Sequence, residues 1–376
     1  MTARRTLTIM GVAGLMVLGA CSADSNASGN EPDARETQAA DTPVRGGGGI
    51  QDFPSYSDVD ATKLAEPAAD EAWSFDMASG SAMAVAELDG ASVLLSATRR
   101  GDVEIYDLAT GEPVQTHSVH DNAIRALHPV EVDGQPLVVS VEVGLATVWN
   151  LTTGESVTDI DLGSDYDFTA VIEYNGSPTF VNGGKEIVLT DLSTMQTAEH
   201  YRHQLGLSSH HGNIVTIDGA TVLVADNVVG GEYGVGAWNL EDGSTMYSYP
   251  MYEHADRSIN RMASGYLGDT VLTVSGDHGG DLRAWDVTAN QEYGPAVNLD
   301  GSSITALAVV QLDGTLVGIA ATLDRTIAMW NVETGEIIEQ FDSPGLGVTH
   351  LVVTDIDGRP AVVAGGDSWA MPYRLG

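Results

Sequence analysis

The stretch Ser275-Gly276-Asp277-His278-Gly279-Gly280-Asp281-Leu282-Arg283-Ala284-Trp285-Asp286 decides how the chain is read. A glycine-containing turn leads into a short strand that closes on an aromatic followed by Asp, and Asn290, a residue able to take the left-handed conformation, follows. The pattern recurs. Tyr106-Asp107, Trp149-Asn150, Trp238-Asn239 and Trp330-Asn331 close other segments in the same way, with Thr190-Asp191 as a degenerate copy. Gly111, Gly154, Gly243 and Gly335 follow at the same offset, with Met195 as the exception.

A second mark runs in step with the first. Asp89-Gly90, Asp133-Gly134, Asn175-Gly176, Asp218-Gly219, Leu267-Gly268, Asp313-Gly314 and Asp357-Gly358 each separate two short β-branched runs, and their glycines lie 44, 42, 43, 49, 46 and 44 residues apart. Asp-Gly and Asn-Gly favour two-residue hairpins of type I′, whose central residues both need positive φ. Seven hairpins on one period form an internal repeat, and roughly 40–50 residues holding four short strands make one blade of a β-propeller.

The quoted stretch, with residues 96–107 and 320–331, resembles the third-strand signature of WD-repeat β-propellers. The resemblance covers residues 70–376 and implies one all-β domain, a seven-bladed β-propeller of four-stranded antiparallel blades. WD-repeats often carry a network of His, Ser or Thr, Asp and Trp. Repeat five keeps His254, Ser275 and Trp285 but has Gly279 at the Asp position, and repeat six keeps Asp324 and Trp330 without the His, so no repeat is expected to hold all four. The Trp residues are expected to pack between blades rather than to touch a ligand.

The chain ends at Gly376, just after the third strand of repeat seven, so the outer strand of that sheet must come from elsewhere. Ala72-Trp73-Ser74-Phe75-Asp76 is expected to supply it and close the ring, with an open solenoid as the alternative.

At the other end, Arg4-Arg5 precedes an apolar run over residues 9–18 that is too short to cross a bilayer, so residues 1–20 read as a signal peptide. Leu18-Gly19-Ala20-Cys21 resembles the lipobox of bacterial lipoproteins, which implies a diacylated Cys21 as the first mature residue. Cys21 is the only cysteine, so no internal disulfide competes for it. Arg4-Arg5-Thr6-Leu7 is similar to a twin-arginine signal, and both export routes stay open. Residues 21–69 are expected to be the lipidated cysteine and a disordered tether, rich in Ala, Asp, Ser, Gly and Pro. The 48 residues after Cys21 would span on the order of 40 Å as a coil. The expected location is the extracytoplasmic face of the bacterial cell membrane.

Composition narrows the partners. With 53 acidic and 16 basic side chains the net charge is −37, which argues against nucleic acid. Loss of residues 1–20 removes two Arg and leaves −39, so anionic headgroups repel the body and the lipid is its expected membrane contact. A protein or peptide partner in the cell envelope, a monomeric state and no cofactor are expected.

Catalytic signatures are sparse. No Gly-x-Ser-x-Gly elbow, phosphate-binding Gly-x-x-x-x-Gly-Lys-Ser/Thr loop or His-Glu-x-x-His helix occurs. Quinoprotein propellers share the Asp-x-x-Thr-Gly element, but here the Trp precedes the Asp. His200, His203, His210 and His211 could converge on zinc, copper or nickel, although loop histidines are usually solvated. Asp355-Ile356-Asp357-Gly358 and residues 161–167 lack the full calcium-loop pattern, and the hairpin reading accounts for them.

The resemblance places binding on the face of the loops that join second to third strands and blade to blade. These loops carry Arg99, Arg100, Lys185, Tyr233, Arg257, His278, Arg325 and Trp369, with a long loop at residues 226–234. Arg and aromatics are enriched at binding hot spots. The leading expectation is therefore a non-catalytic scaffold. The alternative is a small-ligand-binding or enzymatic propeller, of lyase or hydrolase type, with a deep site over the central channel.

Overall fold

The computed structural model describes residues 45–46, 53–57, 59, 64–65 and 80–375, apart from 164–165, 185, 202–210, 230–231, 253–257, 344–346, 357–358 and 367–368. Seven four-stranded antiparallel meanders follow one another and form a seven-bladed β-propeller, with no helix among the described residues. The inner strands are Gly80–Leu88, Ala126–Val132, Tyr166–Tyr174, Gly212–Ile217, Ile259–Leu267, Ile304–Leu312 and His350–Ile356. The first neighbours both the second and the seventh, so the ring is closed.

Turn chemistry builds the blades. Asp89, Asp133, Asn175, Asp218 and Asp313 take φ between 45° and 53°, and the glycines after them between 77° and 82°, as type I′ hairpins require. In blade five Leu267 pairs with Thr270, so the turn is Gly268-Asp269, one residue later than its sequence mark. With positive φ at Gly268 alone, that turn has the type II′ pattern. Asp357-Gly358 lies outside the described residues.

The second mark is an Asx turn. The Asp107 carboxylate accepts the N–H groups of Ala109 and Thr110 at 2.9 and 2.8 Å, and the Asn150 amide oxygen those of Thr152 and Thr153 at 3.0 Å. Asp191 and Asn331 do the same in their blades, while Asn239 accepts the Glu241 N–H and Asp286 the Ala289 N–H, each at 2.8 Å. The residue four positions on then takes φ between 53° and 75°, Met195 included.

The aromatic before each Asx residue has its own task. Tyr106, Trp149, Trp238, Trp285 and Trp330 each join the core of the preceding blade, Tyr106 reaching Val352 and Val363 of blade seven. Tyr373 fills the seam between blades six and seven. In blade three the position is Thr190, and its cross-strand partner Phe180 enters the seam instead. Trp330 in turn lies over Gly318, where a Cβ would meet the indole at 2.2 Å. Trp149, Trp238, Trp285 and Trp330 are inter-blade packing groups.

The N-terminal segment is part of the ring. Leu64 pairs with Leu375 and Ala65 with Arg374, antiparallel, so an N-terminal strand completes the seventh sheet. The closing strand lies earlier than expected, and residues 72–76 are outside the described residues. Ser55 and Tyr56 run parallel to Gln311 and Leu312 on the inner edge of blade six, and Arg45 and Gly46 parallel to Phe168 and Thr169 on the inner edge of blade three. Phe53 is buried in the core between blades five and six, while Tyr56 packs between blades six and seven. Burial and nearby Asp355 push the Tyr56 phenol up to about 12. A featureless tether over residues 22–69 therefore does not hold at 53–56 and 64–65, because two aromatics and unpaired sheet edges give that stretch something to bind.

Candidate functional site

The turns between second and third strands all lie at the end of the ring where the inner strands begin. In blade one the turn carries Arg99 and Arg100, both exposed. The Thr98 hydroxyl accepts the N–H groups of Arg100 and Asp102, each at 3.2 Å, and Gly101 sits below them at φ 88°. A Cβ on Gly101 would lie 2.0 Å from the His120 carbonyl oxygen, so the turn is fixed against the next inter-blade loop.

Blade six repeats the device with one departure. The Thr322 hydroxyl donates to the Asp324 carboxylate and accepts the Thr326 N–H at 3.1 Å. These bonds, Thr322 first, hold the Asp324 carboxyl below its usual range. Where blades one, two and five have Gly101, Gly144 and Gly280, blade six has Arg325 at φ 77°. A long side chain in a glycine conformation is strained, and such strain clusters at functional sites. Arg325 is exposed, beside Leu323 at 60% exposure.

Blade two presents Val143, 62% exposed, at the corresponding turn. Tyr166 braces this turn, its hydroxyl donating to the Glu142 carbonyl at 2.7 Å and accepting the Gly144 N–H at 3.3 Å. Beneath it lies a polar network. Trp149 Nε1 donates to Ser140 Oγ at 3.0 Å, Ser140 Oγ meets His120 Nε2 at 2.7 Å, and His120 Nδ1 faces a Glu142 carboxylate oxygen at 3.6 Å. Burial lowers the His120 pKa and favours the neutral ring, which lies within hydrogen-bond reach of the Ser140 hydroxyl. Blade two thus joins three of the four groups, His, Ser and Trp, with Glu142 in the place of Asp.

In blade seven, Trp369 is half-buried and packs against the core shared with blade six. Blades six, seven, one and two are consecutive around the closed ring. They place Leu323, Arg325, Trp369, Arg99, Arg100 and Val143 along one arc of this face. Sequence reading missed Val143 and Leu323. Their signal was an apolar side chain in the middle of a tight turn, where polar residues are the rule.

Two further candidates fall outside the arc. His278 is half-buried with a ring nitrogen 3.1 Å from Ser303 Oγ, and Tyr233 packs against the core of blades four and five. Lys185, Arg257 and His254 lie outside the described residues. So do Cys21, His203 and His210. His200 meets Glu186 at 2.6 Å on the outer strand of blade three, whereas buried His211 faces Asp226 at 3.7 Å beside the inner strand of blade four. Separate carboxylates thus hold these two histidines, and the described residues contain no group of three metal-ligating side chains.

The opposite face carries the hairpin and Asx turns and is acidic. Asp89, Asp133, Asp218, Asp269, Asp313, Glu112, Glu155, Glu241 and Glu333 are exposed there. Arg359 is the exposed base beside them. At this end of the axis, Phe53 and Tyr56 lie against the inner strands of blades five to seven. No protein-family model matches the chain, and no curated protein matches it.

Proposed function

We propose that the chain is a WD-repeat-like lipoprotein of the bacterial cell envelope, anchored through Cys21, that binds a protein or peptide without catalysis. The observation that carries this reading is the arc over blades six, seven, one and two. Exposed Leu323 and Val143 and three arginines stand there on turns fixed by Thr98, Thr322 and Tyr166, and half-buried Trp369 lies between them on blade seven. Rigid presentation limits the entropy lost on binding, and Arg with Trp is the composition of interface hot spots.

Two experiments test this. Cys21→Ser is expected to shift the protein from the membrane to the soluble fraction, and continued membrane association would overturn the anchor. Residues 22–376 are then used for crosslinking capture from the native envelope, beside a variant with Arg99, Arg100, Arg325 and Trp369 changed to Ala. A specific protein captured by the first and lost by the second is expected. Equal capture by both would remove the arc from consideration, and no capture would favour a small ligand over a protein.

A further inference from the structure

We propose that the outer rim of the ring carries a carbohydrate-binding notch between blades four and five, where the Tyr249 ring stacks on the apolar face of a neutral sugar and the Arg283–Glu292 pair takes its hydroxyls. The notch is separate from the arc and rests neither on the arc nor on Cys21.

It begins as a break in the repeat. In blades one, two, three, four and six the outer strand is a single piece, Pro113–Ser118, Ser156–Asp161, Gln196–Tyr201, Thr245–Tyr252 and Ile337–Asp342. Blade five has two pieces instead, Gln291–Glu292 and Val297–Asn298. They pair with Trp285 and Asp286 and with Asp281 and Leu282, so Arg283 and Ala284 fall in the gap of the ladder. The chain between the pieces swings toward blade six. Gly294, at φ 68°, lies where a Cβ would stand 2.1 Å from the Val332 carbonyl oxygen, and Pro295 packs over Gly335. Edge irregularities of this kind re-aim side chains and recur beside binding sites.

The break uncovers the side facing blade four. Arg283 Nη1 donates to Glu292 Oε1 at 3.0 Å, and the two side chains are 27% and 35% exposed. Across the seam, half-buried Tyr249 lies nearly parallel to fully buried Trp285, with ring centroids 6.0 Å apart and planes at 13°. One face of Tyr249 covers the indole, which leaves the other for a ligand. Burial raises the Tyr249 pKa, Glu292 adds to the rise and Arg283 opposes it, so both charged groups lie near the phenol. Half-buried Tyr247 stands two residues before it, at the position that holds Gln115, Thr158, Glu199 and Glu339 in blades one, two, three and six. An aromatic has thus replaced a polar residue on the same rim.

Chemistry selects the occupant. Arg283 and Glu292 neutralise each other, so the notch does not call for an ion. An aromatic face beside a donor and an acceptor matches a pyranose, whose C–H face is apolar and whose edge is lined with hydroxyls. A peptide strand would need a longer open edge than the two residues left in the gap.

The test titrates the full chain, held in a detergent without sugar headgroups, with cellotetraose, chitotetraose and maltotetraose in turn, by calorimetry. Saturable binding of at least one is expected, and binding of none would overturn the notch. Tyr249→Leu, which still covers Trp285, and Glu292→Gln should each weaken binding about tenfold, while Tyr249→Phe, which keeps the ring, should bind as the parent does. Undiminished binding by Tyr249→Leu, or an equal loss in Tyr249→Phe, would overturn the stacking. Changing Arg99 and Arg100 to Ala should leave saccharide binding intact, and a loss there would move the site to the arc. Absence of saccharide binding with partner capture by the arc retained would refute the notch alone.

Discussion

The Phe53 ring lies flush on Gly265, where an added Cβ would stand 2.6 Å from Phe53 Cε1. A residue far from the repeats in sequence thus depends on the absence of a side chain on the inner strand of blade five, and the Phe53 N–H donates to the Tyr266 carbonyl at 3.2 Å beside it. Gly265→Ala is expected to destabilise by about 1–3 kcal/mol through overpacking, and Phe53→Ala by about 3 kcal/mol. With both changed, the Ala at 265 should cost almost nothing further. Urea unfolding of the four proteins measures this, and strict additivity would separate the two residues.

A chain that begins at residue 70 lacks Phe53, Tyr56 and the strand Leu64–Ala65. Its melting temperature is expected to fall by roughly 5–10 °C relative to residues 44–376. Calorimetry on the two lengths decides it, equal melting being the contrary result.

Arg325→Gly should relieve the strain of φ 77° and raise stability by about 1 kcal/mol while weakening capture of the partner. The converse change, Gly101→Ala, places a Cβ 2.0 Å from the His120 carbonyl oxygen and should destabilise by about 2 kcal/mol or more. If Arg325→Gly lowers stability, its conformation is supported by contacts rather than strained.

Ser140→Ala removes the atom shared by Trp149 Nε1 and His120 Nε2, two buried groups. A loss of about 1–3 kcal/mol is expected from chemical denaturation, whereas Ser140→Thr should retain most of it. Similar losses for both variants would show that the hydroxyl is not the linking group.

Acid should weaken the ring through His128 and His350. Burial lowers His128 to about 4 and, helped by nearby Arg261, His350 to about 3, from an ordinary 6.5. Their folded pKa values are depressed, so the unfolded chain binds protons first as pH falls. The stability they contribute is complete above pH 6.5, declines as pH drops toward 4 and 3, and amounts to several kcal/mol in all. His128→Gln, which keeps a partner for Thr169, should flatten part of that decline in melting temperature against pH. An unchanged slope would assign the acid sensitivity to carboxylates.

Much of the ring was legible because its marks are local chemistry. Asp89-Gly90 and Asp107 dictate turns by their own φ and hydrogen bonds, whatever surrounds them. Thr190 was legible only as a gap, since its replacement, Phe180, stands on the neighbouring strand and pairing had to be known first. The closing strand escaped because two residues, Leu64 and Ala65, have no period to detect. Phe53 and Tyr56 left one trace as the aromatics of an otherwise polar stretch. The network of blade two was overlooked because Glu142 precedes the turn, where an Asp within it was sought.

The outer strand of the seventh sheet also governs the order of assembly. Leu64 leaves the ribosome well before its partner Leu375. Six sheets can form as they emerge, but the seventh must wait with its edge open. Contacts so distant in sequence are slow to form. Any fragment that ends before Arg374 therefore leaves the strand Leu64–Ala65 without a neighbour, and such a product is marked for proteolysis at both ends at once.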